Sequence, residues 1–235
     1  MPIEYLGVRK FIMEKCKPLY RVIHKVQDSR RAGRGKKYRE RLKKYGYEAA
    51  AKLYNALDGS KYEYFFTYGT LLGLVRDGGF IPFDDDLDLG ILMTDDFSWD
   101  EFQRFMEEHG FRKHREFSLR GEITEQAYEY KKLNIDFFMY YPEEGGLLTY
   151  SYYNNKSIEY KSIRDFSAEG YHNSAILGFR YIEAHGVKFR IPENAKQLLE
   201  EVYEKTWKTP IENWDYKQAK ARFEINDVLA VRDRM

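Results

Sequence analysis

A chain of 235 residues suits one catalytic domain with an appendage better than two full domains, and it is long enough to bury a real core. Its 39 Lys and Arg against 38 Asp and Glu leave a net charge of +1, which excludes a protein that holds nucleic acid by bulk charge. The single cysteine, Cys16, excludes an internal disulfide framework, no apolar run approaches the roughly 18 residues of a membrane span, and the N-terminus lacks a secretory leader pattern, so a cytoplasmic protein is expected.

In chain order, residues 3–27 read as an amphipathic helix interrupted at Pro18. Ile3, Leu6, Phe11, Ile12, Leu19, Val22, Ile23 and Val26 form its apolar side, and Arg9, Lys10, Lys15, Lys17, Arg21 and Lys25 its cationic side. A basic stretch from Arg30 to Lys44 follows, with Glu40 its only acid; Gly33 and Gly35 mark it as a loop or hinge. Residues 1–45 are therefore expected to be a basic arm and 46–235 the catalytic domain. Tyr47–Leu57 reads as a helix closed by Asp58-Gly59. Tyr62–Tyr68 reads as a buried aromatic strand, Thr70–Arg76 as a short helix after Gly69, and Gly78, Gly79 and Pro82 as an irregular turn.

Leu87–Met93 is a predicted strand, and Ser98–Glu108 a helix with Ser98 as N-cap and Gly110 as stop. Strands are expected at Phe111–Phe117, Gln126–Lys132 and Asn134–Tyr141, with more strands and loops over 147–191. Pro192–Lys205 reads as a helix, and so does the stretch from Asp215 onward. This order predicts an α/β (α+β) fold with strands clustered in the middle.

The densest chemistry lies in Phe80-Ile-Pro-Phe-Asp-Asp-Asp-Leu-Asp-Leu-Gly90, shortly after Gly69-Thr-Leu-Leu-Gly-Leu-Val-Arg76. Strand residues two apart share a face, so Asp86 and Asp88 project together, and Asp84 joins them if the strand begins early, with Asp85 pointing away. Converging carboxylates repel unless a hard cation offsets them, and magnesium suits a few carboxylates plus substrate phosphate, with manganese as a substitute. A calcium loop also places acids at the positions of Asp84, Asp86 and Asp88. It would need Gly at its sixth position and Glu at its twelfth, where this chain has Leu89 and Asp95. The bland alternative is a solvated acidic turn.

Asp136 stands among apolar residues in Asn134–Tyr141 and needs a cation there: the same metal, or a salt bridge to Lys131 or Lys132. Gly69 permits close approach of a ligand. Thr70 opens a helix whose N–H groups attract an anion, and Arg76 is a candidate phosphate clamp. The five histidines show no metal spacing, and no Ser or Cys nucleophile has credible partners.

These two segments closely resemble the signature of the LicD family, which includes bacterial phosphocholine transferases and fukutin-type ribitol-phosphate transferases. The resemblance is strong over 62–93, moderate over 130–141 and weaker over 187–214; Phe83 stands where the family usually has tryptophan. It implies a nucleotidyltransferase-like mixed β-sheet flanked by helices, with Thr70, Asp86 with Asp88, and Asp136 in the slots for the helix start, the acidic strand and the third acid.

It also implies magnesium-dependent transfer of a phospho-alcohol from a CDP-linked donor to a glycan or lipid-linked glycan acceptor, in cell-surface polysaccharide or glycoconjugate synthesis. The donor would be cradled by Gly69, Thr70 and Arg76, and the metal held by Asp86, Asp88 and Asp136. The alternatives are transfer of an NMP unit with pyrophosphate release, and a non-catalytic scaffold of a glycan-assembly complex. The basic arm invites peripheral contact with the inner face of a membrane; nucleic acid is not an expected partner, since the arm lacks an aromatic platform.

Overall fold

Helix α1 spans Lys17–Leu57 without interruption. The computed structural model describes residues 17–155, 158, 160–212 and 214–234, so the part of the predicted N-terminal helix before Lys17 lies outside the described residues. The expected loop at Gly33 and Gly35 is overturned, for both glycines are helical. A helical Gly costs about 1 kcal/mol relative to Ala, which a helix anchored elsewhere can absorb. The anchor is the C-terminal half of α1, where Leu42, Ala49, Ala50, Leu53 and Leu57 are buried in the main core. Gly59 ends the helix at φ +78°, as Asp58-Gly59 foretold.

Strand β1 (Tyr64–Phe66) is shorter than its aromatic run suggests, because Tyr68 already begins α2 (Tyr68–Arg76). Then come β2 (Asp86–Leu92) and α3 (Trp99–Glu108). The Ser98 Oγ caps α3 by accepting from the Glu101 N–H, and Gly110 follows at φ +78°. Five strands follow: β3 (Arg112–Leu119), β4 (Glu122–Tyr130), β5 (Leu133–Glu143), β6 (Gly146–Tyr153) and β7 (Asp165–Ser174). The hairpin β8 (Phe179–Ala184) and β9 (Val187–Pro192) leads into α4 (Ala195–Tyr203). The C-terminal helix expected from Asp215 is absent among the described residues: one short 3-10 turn, Tyr216–Gln218, precedes the long strand β10 (Arg222–Arg234). Its Phe, Ile and Val content favours a strand once β3 and β7 offer edges on either side.

The main sheet is mixed and mostly antiparallel, in the order β1-β2-β5-β4-β3-β10-β7-β6. β6 also pairs with the end of β5, so six strands form a closed ring of pairings. Among the described residues only β2 and β5 run parallel, with Asp88 opposite Asp136. Alternation then divides the two faces of this pair. Leu87, Leu89 and Ile91 join Leu133, Ile135, Phe137 and Met139 in the core beneath the helices. Asp86, Asp88 and Asp136 take the other face.

Candidate active site

Asp84, Asp86 and Asp88 each offer a carboxylate oxygen within 4.8 Å of the others. Asp84 reaches this group from the turn before β2, held by its N–H bond to the Ile81 carbonyl at 3.1 Å. Gly69 lies against them: a Cβ there would stand 2.6 Å from Asp84 Oδ2 and 3.3 Å from Asp88 Oδ2. The acids are thus packed onto bare backbone at the start of α2. The Gly69 N–H donates to Asp88 Oδ2 at 3.1 Å, and the Asp88 N–H donates to Thr70 Oγ1 at 2.9 Å. The positive end of α2 therefore serves Asp88 directly, and Thr70 fixes the strand that carries it.

Burial pushes the Asp84 carboxyl up to about 6. Burial, and then the neighbouring aspartates, push Asp86 and Asp88 well above the usual carboxylate range. Acids arranged this way fit a hard divalent cation, whose charge would remove both costs.

Asp136 sits beside Asp88 in register but is not among the converging three. Its cation is neither Lys131, which is bonded to Glu48, nor Lys132, but Arg115, whose Nη2 donates to Asp136 Oδ2 at 2.8 Å. The path is a straight row across four strands. Asp88 on β2 pairs with Asp136 on β5, Asp136 with Ala127 on β4, and Ala127 with Arg115 on β3. The small buried Ala127 lets Arg115 reach over it. Arg115 also holds Glu125 at 3.2 Å. Burial raises Glu125 to about 8. Burial opposes the charge on Arg115, but Asp136 and Glu125 together hold its guanidinium above its ordinary value. Asp136 Oδ1 is buried with no hydrogen-bond partner. Such an atom is costly unless a ligand, a metal or a substrate proton uses it.

A cavity of about 270 Å³ opens beside the acids and includes Gly69 and Asp84 in its wall. Phe83, Tyr203, Trp207 and Trp214 supply aromatic surface, and Arg39 and Arg76 supply charge. The Arg76 guanidinium is already engaged. Its Nε and Nη2 donate to Asp77 at 2.8 and 2.7 Å, and Nη1 donates to the Trp207 carbonyl at 3.4 Å. The pairing of Arg115 with Asp136 and Glu125, and the place of Arg39, Phe83, Tyr203, Trp207 and Trp214 around one cavity, are not legible in the sequence. Arg115 lies in a strand rich in charges, and Arg39 in a run of basic residues, so neither stands out by composition.

The family model for the LicD/FKTN/FKRP nucleotidyltransferase domain matches residues 61–194. The chain belongs to the LicD family. Among its relatives, the ribitol-5-phosphate transferase FKTN of Mus musculus is 25% identical over 171 residues, covering 72% of this chain and 34% of that protein. The ribitol 5-phosphate transferase FKRP of Homo sapiens is 29% identical over 104 residues, 42% of this chain and 21% of that protein. An uncharacterized protein of Rickettsia typhi is 36% identical over 78 residues, 32% of this chain and 25% of that protein. The chain thus spans about a third of the length of its FKTN relatives. The LicD match contains the acids, Gly69, Arg76 and Arg115, whereas Arg39, Tyr203, Trp207 and Trp214 lie outside it. Among the described residues, no helix is long and apolar enough to cross a membrane.

Proposed function

We propose that this LicD-family chain transfers a phospho-alcohol unit from a CDP-activated donor to a glycan hydroxyl, releasing CMP. The observation that carries the proposal is the convergence of Asp84, Asp86 and Asp88 beside the unpartnered Oδ1 of Asp136, at the wall of an aromatic cavity. Its relatives named as ribitol-5-phosphate transferases support this class of chemistry.

Asp86 and Asp88 would hold magnesium, or manganese in its place, with Asp84 adding a third oxygen and Asp136 completing the site. When bound, the cation neutralises the donor diphosphate and the charge that develops on its bridging oxygen. The protein's share is positioning. Gly69 lets the carboxylates close onto the backbone, and Thr70 pins Asp88. Arg115 locks Oδ2 of Asp136, so Oδ1 faces its task in one orientation, either as a ligand or as the acceptor of the hydroxyl proton. The acceptor oxygen forms a bond to the alcohol-bearing phosphorus as the bond from that phosphorus to the CMP oxygen breaks. The aromatic walls shield the exchange from water and offer stacking surface to a planar base.

A lipid-linked acceptor would bring the chain to an anionic membrane face from the cytoplasmic side, and the exposed Lys36, Lys37, Lys43 and Lys44 of α1 suit that surface. The test is to incubate the full chain with CDP-ribitol, CDP-choline or CDP-glycerol, a glycan acceptor and magnesium. Release of CMP with a phosphodiester product is expected from at least one donor. Pyrophosphate as the released group would replace this reading with nucleotidyl transfer, and absence of both would end it.

A further inference from the structure

Asp84 lies in the cavity wall, Asp86 and Asp88 converge with it, and Asp136 stands opposite Asp88, so a phosphate-bearing substrate must approach four aspartates. Cations lining the cavity therefore matter as much as the acids. The two arginines that line the cavity differ sharply. Arg76 is spent on Asp77 and the Trp207 carbonyl. Arg39 has no hydrogen bond or ion pair among the described residues, and it keeps part of its surface exposed.

The position of Arg39 is well fixed. It stands on α1 three residues before Leu42, which is 2% exposed and belongs to the main core. Arg41, two residues further, turns away and donates to the Lys132 carbonyl at 3.0 Å. One helix thus carries a structural arginine and an uncommitted one, and the uncommitted one faces the cavity.

We infer that Arg39 is a substrate-binding residue that takes a phosphate group of the donor, and that α1 is thereby part of the active site although it lies outside the segment matched to the LicD family. The inference deepens the transferase reading and rests on it for the identity of the substrate. A planar guanidinium can meet two phosphate oxygens at once, and an unpaired one can do so without first breaking a bond within the protein. A divalent cation held by several aspartates is already offset by their charge, so the two negative charges of a donor diphosphate call for a further cation, and Arg39 supplies one.

The test measures binding of inorganic pyrophosphate with magnesium to the full chain, by calorimetry, for wild type, Arg39→Ala, Arg39→Lys and Arg41→Ala. Arg39→Ala should weaken binding about 10- to 100-fold, the range expected for a lost hydrogen bond to a charged group. Arg39→Lys should recover part of the loss, because it keeps the charge without the fork. Arg41→Ala removes the same charge from the same helix and should change affinity less than about 2-fold, since its guanidinium lies elsewhere. Wild-type affinity in Arg39→Ala, equal losses in Arg39→Ala and Arg41→Ala, or no pyrophosphate binding by wild type would each overturn the inference.

A CDP-alcohol assay separates this inference from the transferase reading. Pyrophosphate binding that depends on Arg39, with no CMP released from any donor, would retain the arginine site and sink only the transfer. CMP release with an unchanged KM in Arg39→Ala would sink only the arginine site. If both hold, Arg39→Ala should raise KM for the donor about 10-fold or more and leave kcat within a few-fold.

Discussion

Gly69 and Asp84 touch so closely that a single added methyl on Gly69 would stand 2.6 Å from Asp84 Oδ2. Gly69→Ala is therefore expected to displace a carboxylate while leaving the fold intact, since Ala is the better helix former by about 1 kcal/mol. Magnesium affinity and transfer should both drop at least about 10-fold, with a thermal midpoint equal to or above that of wild type. A variant that unfolds early, or one that binds metal normally, would contradict this geometry.

Asp86→Asn and Asp88→Asn should each abolish transfer by about three orders of magnitude or more. In the presence of a chelator the same changes should stabilise the protein by about 1–3 kcal/mol, because a charge held at a cost by burial and by its neighbours has gone. Denaturant titrations with and without magnesium check both halves. A destabilised metal-free variant would mean that these carboxylates are structural.

The pH dependence has a definite sign. Burial raises Asp84 to about 6 from an ordinary value of 3.8. Between these two values the folded chain keeps a proton that the unfolded chain releases. Its contribution to stability is complete below about pH 4 and is lost as pH rises through 6. Thermal midpoints in EDTA should thus fall across this window, and magnesium should reverse the fall above pH 6. A midpoint in EDTA that climbs over the same range would refute the assignment.

Replacing Arg115 by Met would leave Asp136 and Glu125 buried without their shared cation, and a cost of about 3–5 kcal/mol is expected in urea unfolding. Ala127→Leu tests the same row differently. It keeps every charge but fills the space over which Arg115 reaches Asp136, so transfer should fall by at least an order of magnitude. Full activity in Ala127→Leu would show that the arginine takes another route.

The acids were legible in the sequence because period-2 alternation in Asp86-Leu-Asp-Leu and in Asn134-Ile-Asp-Phe fixes which side chains share a face. What alternation cannot give is register between strands, and so the row from Asp88 through Asp136 and Ala127 to Arg115 stayed hidden, as did the choice of Arg115 over the nearer Lys131 and Lys132. Helix α1 was misread at Gly33 and Gly35 because local glycine cost was weighed without the core that anchors Leu42 to Leu57. Strand β10 was misread because its partners, β3 and β7, come from distant parts of the chain, and only their exposed edges decide for a strand there. Arg39 was missed for the same reason as Arg115: the tertiary address of a cation is not written in its neighbours.

The parallel pairing of β2 with β5 also orders events in time. A parallel crossover demands that α3, β3 and β4 be made first, so the ribosome has released the whole of β5 before Asp88 can meet Asp136. A nascent or cleaved chain ending before Leu133 carries the Asp84–Asp88 acids without their counterpart, and should be born catalytically silent.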